Sequence, residues 1–337
     1  MTVRPLIFSA LVLASWYGEV LAAESVSFKD KRIELSVGYG VGGGPDMATR
    51  VVARHLGRFI PGSPNLVVMN RPGAESLTQA NYVYSLAPSD GTAIGYVGRA
   101  AAIHQIAGRP GVRFDMAKFQ WFGGFAKQNV VVFLRRAMKL NTIEDMKRTS
   151  QPIIFAVRAL GGTDYLAAKA LEALGVPVKV VAGYGSGQTT IAFERGEIDA
   201  GALTLSAVMQ RAEWVKPNGL AVLAVEFGTV PSSGVPVGPD LKPLPDKAGV
   251  YSLINKALGL PVGTFAGPPG MPSDITAVFD RAFQEMVRDS AFLDDAKKGD
   301  IEANPSVAGK ELQALYADFL DAPPAAKQEF TALSETK

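Results

Sequence analysis

Arg32-Ile33-Glu34-Leu35-Ser36-Val37 runs directly into Gly38-Tyr39-Gly40-Val41-Gly42-Gly43-Gly44-Pro45-Asp46, and that junction decides the fold. The first six residues alternate and favour β-structure, so they read as a strand. A glycine-rich loop follows, and then Met47, Val51, Val52, Leu56, Phe59 and Ile60 trace one apolar face of a helix over about 47–59. Strand, glycine loop and helix open a βαβ unit. Working outward, Leu66-Val67-Val68-Met69 reads as a second strand and Asn70-Arg71-Pro72-Gly73 as a turn. A helix over 78–86 and a strand over 92–97 complete the pattern, with Ala87-Pro88-Ser89-Asp90-Gly91 as the break between them. Strands this far apart cannot be hairpin partners, so the sheet is expected to be largely parallel.

The same pattern resumes later. Ile153-Ile154-Phe155-Ala156-Val157 is a strand that leads into Arg158-Ala159-Leu160-Gly161-Gly162-Thr163, and a helix over 164–174 is stopped by Gly175 and Pro177. Val178-Lys179-Val180-Val181 is the next strand, followed by Gly183-Tyr184-Gly185-Ser186-Gly187, a helix over 188–194 and a strand over 198–203. Two βαβ halves therefore stand in tandem. The Pro- and Gly-rich stretch 228–249 reads as a long surface connection. Beyond it, Ser273 is expected to cap a helix carrying Ile275, Val278, Phe279, Ala282, Phe283, Met286 and Val287 on one face, and a last helix is expected over 307–319. These helices have no sheet of their own, so they should pack back on the first lobe and make it discontinuous. The predicted organisation is lobe 1 over 24–125, lobe 2 over 126–258 and the rest of lobe 1 over 259–337, with two crossovers that permit closure on a ligand.

Composition narrows the function. The 337 residues are 47% apolar and 20% charged, with a net charge of +2, which describes a globular chain able to bury a core. The basic runs are pairs such as Arg135-Arg136, not the concentrated stripe of a nucleic-acid protein. Cysteine is absent, which removes disulfides, thiolate nucleophiles and cysteine-ligated metal sites. Arg4, the apolar run Leu6 to Ala14 and the small residues of Val20-Leu21-Ala22-Ala23 form a secretory leader over 1–23. That apolar run falls short of the ~20 residues needed to cross a bilayer. The mature chain is expected outside the cytoplasm, in the periplasm.

The loops carry the chemistry. Gly38-x-Gly40-x-x-Gly43 between a strand and a helix matches the dinucleotide fingerprint. A dinucleotide site wants an acidic residue after the second strand, where this chain has Asn70, and export removes it from the nicotinamide pool. The loop physics still favours an anion, because helix N-termini present free N–H groups at the positive end of the dipole. Asp46 is expected as the N-cap of the helix. Gly161-Gly162-Thr163 repeats the design in the second half, and Arg158 beside it suits bidentate pairing with a carboxylate. Arg99, just past the strand over 92–97, reaches the cleft edge by topology.

Catalytic readings are weak. His55 and His104 lie in no metal-spaced cluster, and Gly185-Ser186-Gly187 lacks the flanking glycine of a nucleophile elbow. No P-loop is present, and Asp294-Asp295 or Glu197 with Asp199 read as solvated faces. No catalytic residue, metal ligand or cofactor is assigned. An exported enzyme using Asp199 or His104 is the alternative from another class, and a ligand-sensing partner of a membrane kinase is a third.

Six short motifs, in order along nearly the whole mature chain, point to a family. Tyr39 to Asp46 resembles a "P-F-x-P-G-G-x-x-D" loop, Met69 to Ala74 an "x-N-R-P-G-A" turn, and Ala87 to Thr92 "A-x-P-D-G-Y-T". Tyr184 to Gly187 resembles "Y-K-G-S", Gly196 to Asp199 "G-x-V-D", and Phe265 to Pro272 "F-A-P-A-G-T-P". Together they resemble the Bug-type solute receptors of tripartite tricarboxylate transporters. The resemblance implies the α/β type II periplasmic-binding fold, an organic carboxylate as ligand, membrane permease subunits as partner, and a monomer as the default state. It places the binders at Gly42, Gly43, Gly44 and Asp46 in the first lobe and at Arg158, Gly162, Thr163, Ser186 and Thr204 in the second. Tyr39 and Pro45 in the first loop, Gly161 in the second and Arg99 at the cleft edge complete the expected site. Two departures stand out: Arg158-Ala159-Leu160 where the family is usually Ser-rich, and Leu203-Thr204 where it commonly has Asp-Asn. Both make the pocket less polar near 203 and more cationic at 158, which points to a mono- or dicarboxylate with an apolar or aromatic body.

Overall fold

A computed structural model describes residues 26–125, 127–185, 187–228, 248–299 and 301–334. The leader expected over 1–23, most of the 228–249 connection and Ser186 lie outside these residues. Eleven strands are described: β1 (Arg32–Val37), β2 (Asn65–Asn70), β3 (Ala93–Tyr96), β4 (Gln120–Gly124), β5 (Val130–Arg135), β6 (Ile153–Val157), β7 (Val178–Ala182), β8 (Ala200–Thr204), β9 (Ala221–Phe227), β10 (Phe265–Gly267) and β11 (Val307–Ala308). The α-helices are α1 (Gly44–Leu56), α2 (Leu77–Ser85), α3 (Arg99–Ile106), α4 (Ile143–Lys147), α5 (Thr163–Ala173), α6 (Gln188–Arg195), α7 (Leu205–Met209), α8 (Ala212–Val215), α9 (Ala248–Leu258), α10 (Ser273–Met286), α11 (Ser290–Lys298), α12 (Gly309–Leu320) and α13 (Pro324–Ser334).

The strands form two sheets, ordered β11-β4-β10-β3-β1-β2 and β7-β6-β8-β5-β9. The βαβ readings hold locally, since β2, β1 and β3 are parallel neighbours, as are β7, β6 and β8. The sheets as wholes are mixed rather than mainly parallel. Strands β10, β4 and β11 join the first sheet antiparallel, and β5 and β9 do so in the second. The reason is connectivity. A strand entering a lobe from the other lobe, as β5 and β10 do, has no crossover helix turning it back along its neighbour.

The C-terminal stretch is not purely helical. Strands β10 and β11 complete the first sheet, and α10 and α12 pack on β4. The last helix, α13, packs instead on α9 and on α5 of the second lobe. Ser273 is not the cap of α10: Pro272 holds that position with extended angles (φ −53°, ψ 142°), and Ser273 is already helical.

Each sheet is buried by apolar faces that the sequence spacing anticipates. Ile33, Leu35 and Val37 of β1 meet Val51, Val52 and Leu56 of α1 and Phe279 and Phe283 of α10 in one core. In the second lobe Val131 and Phe133 of β5 meet Phe193 of α6 and Trp214 of α8. The largest cluster belongs to neither lobe alone. It runs from Ala101 and Ile103 of α3 through Leu253 and Ile254 of α9 and Phe330 of α13 to Phe155 and Leu166 of the second lobe.

Candidate ligand-binding site

The parallel strands of both sheets end toward a common cavity of about 380 Å³, where an open α/β sheet puts its ligands. In the first lobe the chain leaves β1 through the glycine loop, and Gly42 turns it at φ 84°, an angle that favours glycine. Asp46 fixes the loop. Its Oδ2 accepts the Gly42 N–H at 2.8 Å and Arg50 Nε at 3.0 Å, and its Oδ1 accepts Asn70 Nδ2 at 2.8 Å. Asn70 Nδ2 also donates to the Tyr39 carbonyl, and its Oδ1 accepts from Arg50 Nη2. Burial alone would raise the Asp46 titration, but the hydrogen bonds from Arg50, Gly42 and Asn70 hold it below the usual range.

Asp46 is therefore not the helix cap, a place taken by Gly43. Sitting in the first turn of α1 with no exposed side chain, it is a clamp that shapes the loop. Of the loop residues singled out, Tyr39, Gly44 and Pro45 line the cavity, whereas Gly42, Gly43 and Asp46 are not among its lining residues.

In the second lobe Arg158 leaves the end of β6 and is caught by its own loop. Its N–H and Nε donate to Asp164 Oδ2 at 2.9 and 3.2 Å. Burial opposes the Arg158 charge, but Asp164, Glu75 and Tyr39 around it hold the guanidinium protonated. Arg158, Thr163, Asp164 and Thr204 line the cavity; Gly161 and Gly162 do not. Gly161 is required for another reason. It turns at φ 86°, and a side chain there would strike the Arg109 guanidinium. Thr204 caps α7, its Oγ1 accepting the Ala207 N–H at 3.4 Å.

Helix N-termini and two arginines on the cavity wall favour an anion, while the carboxylates of Asp164 and Glu302 line it too. Residues at the N-termini of four helices face it: Gly44 of α1, Gly98 before α3, Thr163 of α5 and Gly187 before α6. Arg99, the first residue of α3, is 8% exposed and lines the cavity. It donates through Nη1 to the carbonyls of Leu258 and Leu260 and, among the described residues, makes no ion pair. Burial pulls its titration down to about 10, and nearby Arg158 adds to the effect while Tyr96 opposes it. A buried guanidinium without an anion is costly, and an anion in the cavity relieves that cost.

The remaining wall is mostly apolar. Sequence reading missed Tyr96, Phe125, Val130, Ala202 and Val262 there. Tyr96 was within reach, because it ends a parallel strand; Phe125 and Val262 lie on connections that only the assembled lobes bring to the cavity. None of the alternative catalytic residues reaches it. Asp199 Oδ2 accepts the Ile154 N–H at 2.9 Å, His55 pairs with Asp295 on the outside of α1, and His104 is buried against the backbone of Ala74 and Glu75.

No protein-family model matches the chain, and no curated protein does. Solved structures do match. The periplasmic binding protein BugD superposes with a TM-score of 0.65 at 19% identity, over 91% of this chain and 98% of its own. A TctC solute-binding protein from Polaromonas gives 0.64 at 19% identity, over 91% and 99%. MatC from Rhodopseudomonas palustris, with bound malate, gives 0.62 at 16% identity, over 90% and 99%. The likeness establishes the fold: this chain has the two-lobed α/β architecture of periplasmic solute-binding proteins, as the motif resemblance implied.

Proposed function

We propose that this chain is a periplasmic solute receptor that captures a small organic carboxylate between its lobes and delivers it to the membrane subunits of a tripartite tricarboxylate-type transporter. The observation that carries the reading is Arg99, a buried cation without a counter-ion among the described residues, on the wall of the cavity. A carboxylate supplies the missing charge and accepts bidentate hydrogen bonds. The six ordered motifs and the malate in the MatC structure point to the same chemistry, and the leader over 1–23 to export. The ligand body packs against Phe125, Val130, Ala202, Leu203 and Val262, which favours a mono- or dicarboxylate with an apolar portion. The chain acts as a binder without turnover and as a monomer, with lobes divided near 125 and 258.

Arg99 outranks Arg158 as the anchor, because Asp164 already pairs with Arg158. A panel of carboxylates in a thermal-shift assay identifies the ligand class, since a ligand at ~100 times its Kd adds about 2.7 kcal/mol to folded stability. Arg99→Ala should then weaken binding of the best acid by about 1.5–3 kcal/mol, and Arg158→Ala by less. Absence of any shift across the panel, with turnover of one acid, would overturn the receptor reading.

A further inference from the structure

Behind the cavity wall, three consecutive non-glycine residues hold left-handed angles: Ala74 (φ 45°), Glu75 (φ 51°) and Ser76 (φ 73°). Such angles are unfavourable for side-chain-bearing residues and gather where surrounding structure enforces them. Here the enforcement is visible. Ser76 is buried against Gly38, where a side chain could not fit, and its Oγ donates to Gln79, which in turn donates to Ser36.

The conformation turns the Glu75 side chain out of the first lobe and against the second. Its Oε2 lies 3.4 Å from where a side chain on Gly162 would begin, and it is buried with no hydrogen-bond partner among the described residues. The titratable and charged groups around it come from every neighbouring element. Arg158 and Asp164 approach from the second-lobe loop and α5, Tyr39 from the glycine loop, and His104 from α3. Arg109 lies farther along, over Gly161, and donates to the Ser334 carbonyl at the end of α13.

Arg99 and Arg158 on the cavity wall are already opposed by Asp164 and Glu302 on the same wall, and Glu75 lies beside Arg158 and Asp164. A bound carboxylate brings a further negative charge toward ionised Glu75, and a proton on Glu75 offsets it. We propose that carboxylate capture in this cleft is proton-linked, with Glu75 taking up a proton from solvent onto its own carboxylate as the anion binds. The inference rests on the receptor reading above and adds a regulatory coupling to the same site. Burial already raises the Glu75 titration; Arg158 opposes that and Asp164 adds to it, so a further negative charge moves it the same way. His104 is a poor substitute. Burial, with Arg109 adding to it, pulls its titration down to about 4, so it stays neutral where the leader implies the protein works.

Calorimetric titration of malate and a straight-chain dicarboxylate series, in two buffers of different ionisation enthalpy at each pH from about 5 to 8, reads the coupling. The wild type should take up protons on binding and tighten as pH falls, by at most about tenfold per pH unit for one proton. Glu75→Gln should bind without proton uptake, with a nearly pH-independent affinity that exceeds the wild type at pH 8. His104→Asn should keep the uptake. Binding without uptake in the wild type overturns the proposal, as does unchanged uptake in Glu75→Gln or loss of uptake in His104→Asn. Failure of every acid to bind removes the receptor reading instead. A ligand-free measurement stands apart from both. With its folded titration raised, Glu75 stabilises the protein below that titration and ceases to do so as pH rises through it. Glu75→Gln should abolish this loss in a urea-unfolding series against pH, and parallel curves for the two proteins would also count against the coupling.

Discussion

At the residue scale, the cleft separates two kinds of charged group. Asp46 and Asp164 are acids whose partners are supplied by their own loops, so they set backbone shape. Arg99 is a base with no ion-pair partner among the described residues, its Nη1 donating to the Leu258 and Leu260 carbonyls. Asp46→Asn should therefore cost about 1–3 kcal/mol at pH 7 through lost charged hydrogen bonds, without touching the ligand directly. The sign with pH follows from the lowered Asp46 titration. Its stabilisation is present above about pH 4, the unfolded value, and is lost as pH falls toward the folded one. Wild type and Asp46→Asn should thus converge on acidification, as measured by urea midpoints. Sequence reading found Asp46 by its place after a glycine loop but assigned it the wrong task. The spacing could not show that Asn70 and Arg50 would meet it from another strand and the next helical turn.

At the element scale, the most consequential helix is the last. Only part of the C-terminal stretch was legible as structure, because α13 has a face that matches elements from both lobes rather than one sheet. Phe330 on α13 is fully buried in the cluster that also holds Leu253 of α9 and Leu166 of α5. Phe330→Ala should destabilise the protein by about 3–5 kcal/mol, read from the shift of the denaturant midpoint at constant slope. The strands show the same limit. Those inside βαβ units were readable from alternation and turn residues, whereas β4, β5 and β9 were not, since their partners come from a different stretch of chain.

At the scale of the whole molecule, the lobes are distinct in their sheets but share an apolar cluster behind the cleft. That shared core should make unfolding of the ligand-free protein a single cooperative transition, with calorimetric and van't Hoff enthalpies in agreement. Two resolved transitions would mean that the lobes fold independently and that the shared cluster contributes little.

The βαβ units, the glycine loops before helices and the family resemblance were readable from the chain alone, because each is encoded by neighbours a few residues apart. Packing between distant segments sets which residues line the cavity. Gly42, Gly43, Asp46, Gly161 and Gly162 are not among them, whereas Tyr96 and Phe125 are. The physical reason is that a charge acts through whatever pairs with it. Asp164 stands close to Arg158 along the chain, while the carbonyls that accept from Arg99, those of Leu258 and Leu260, lie more than a hundred positions away.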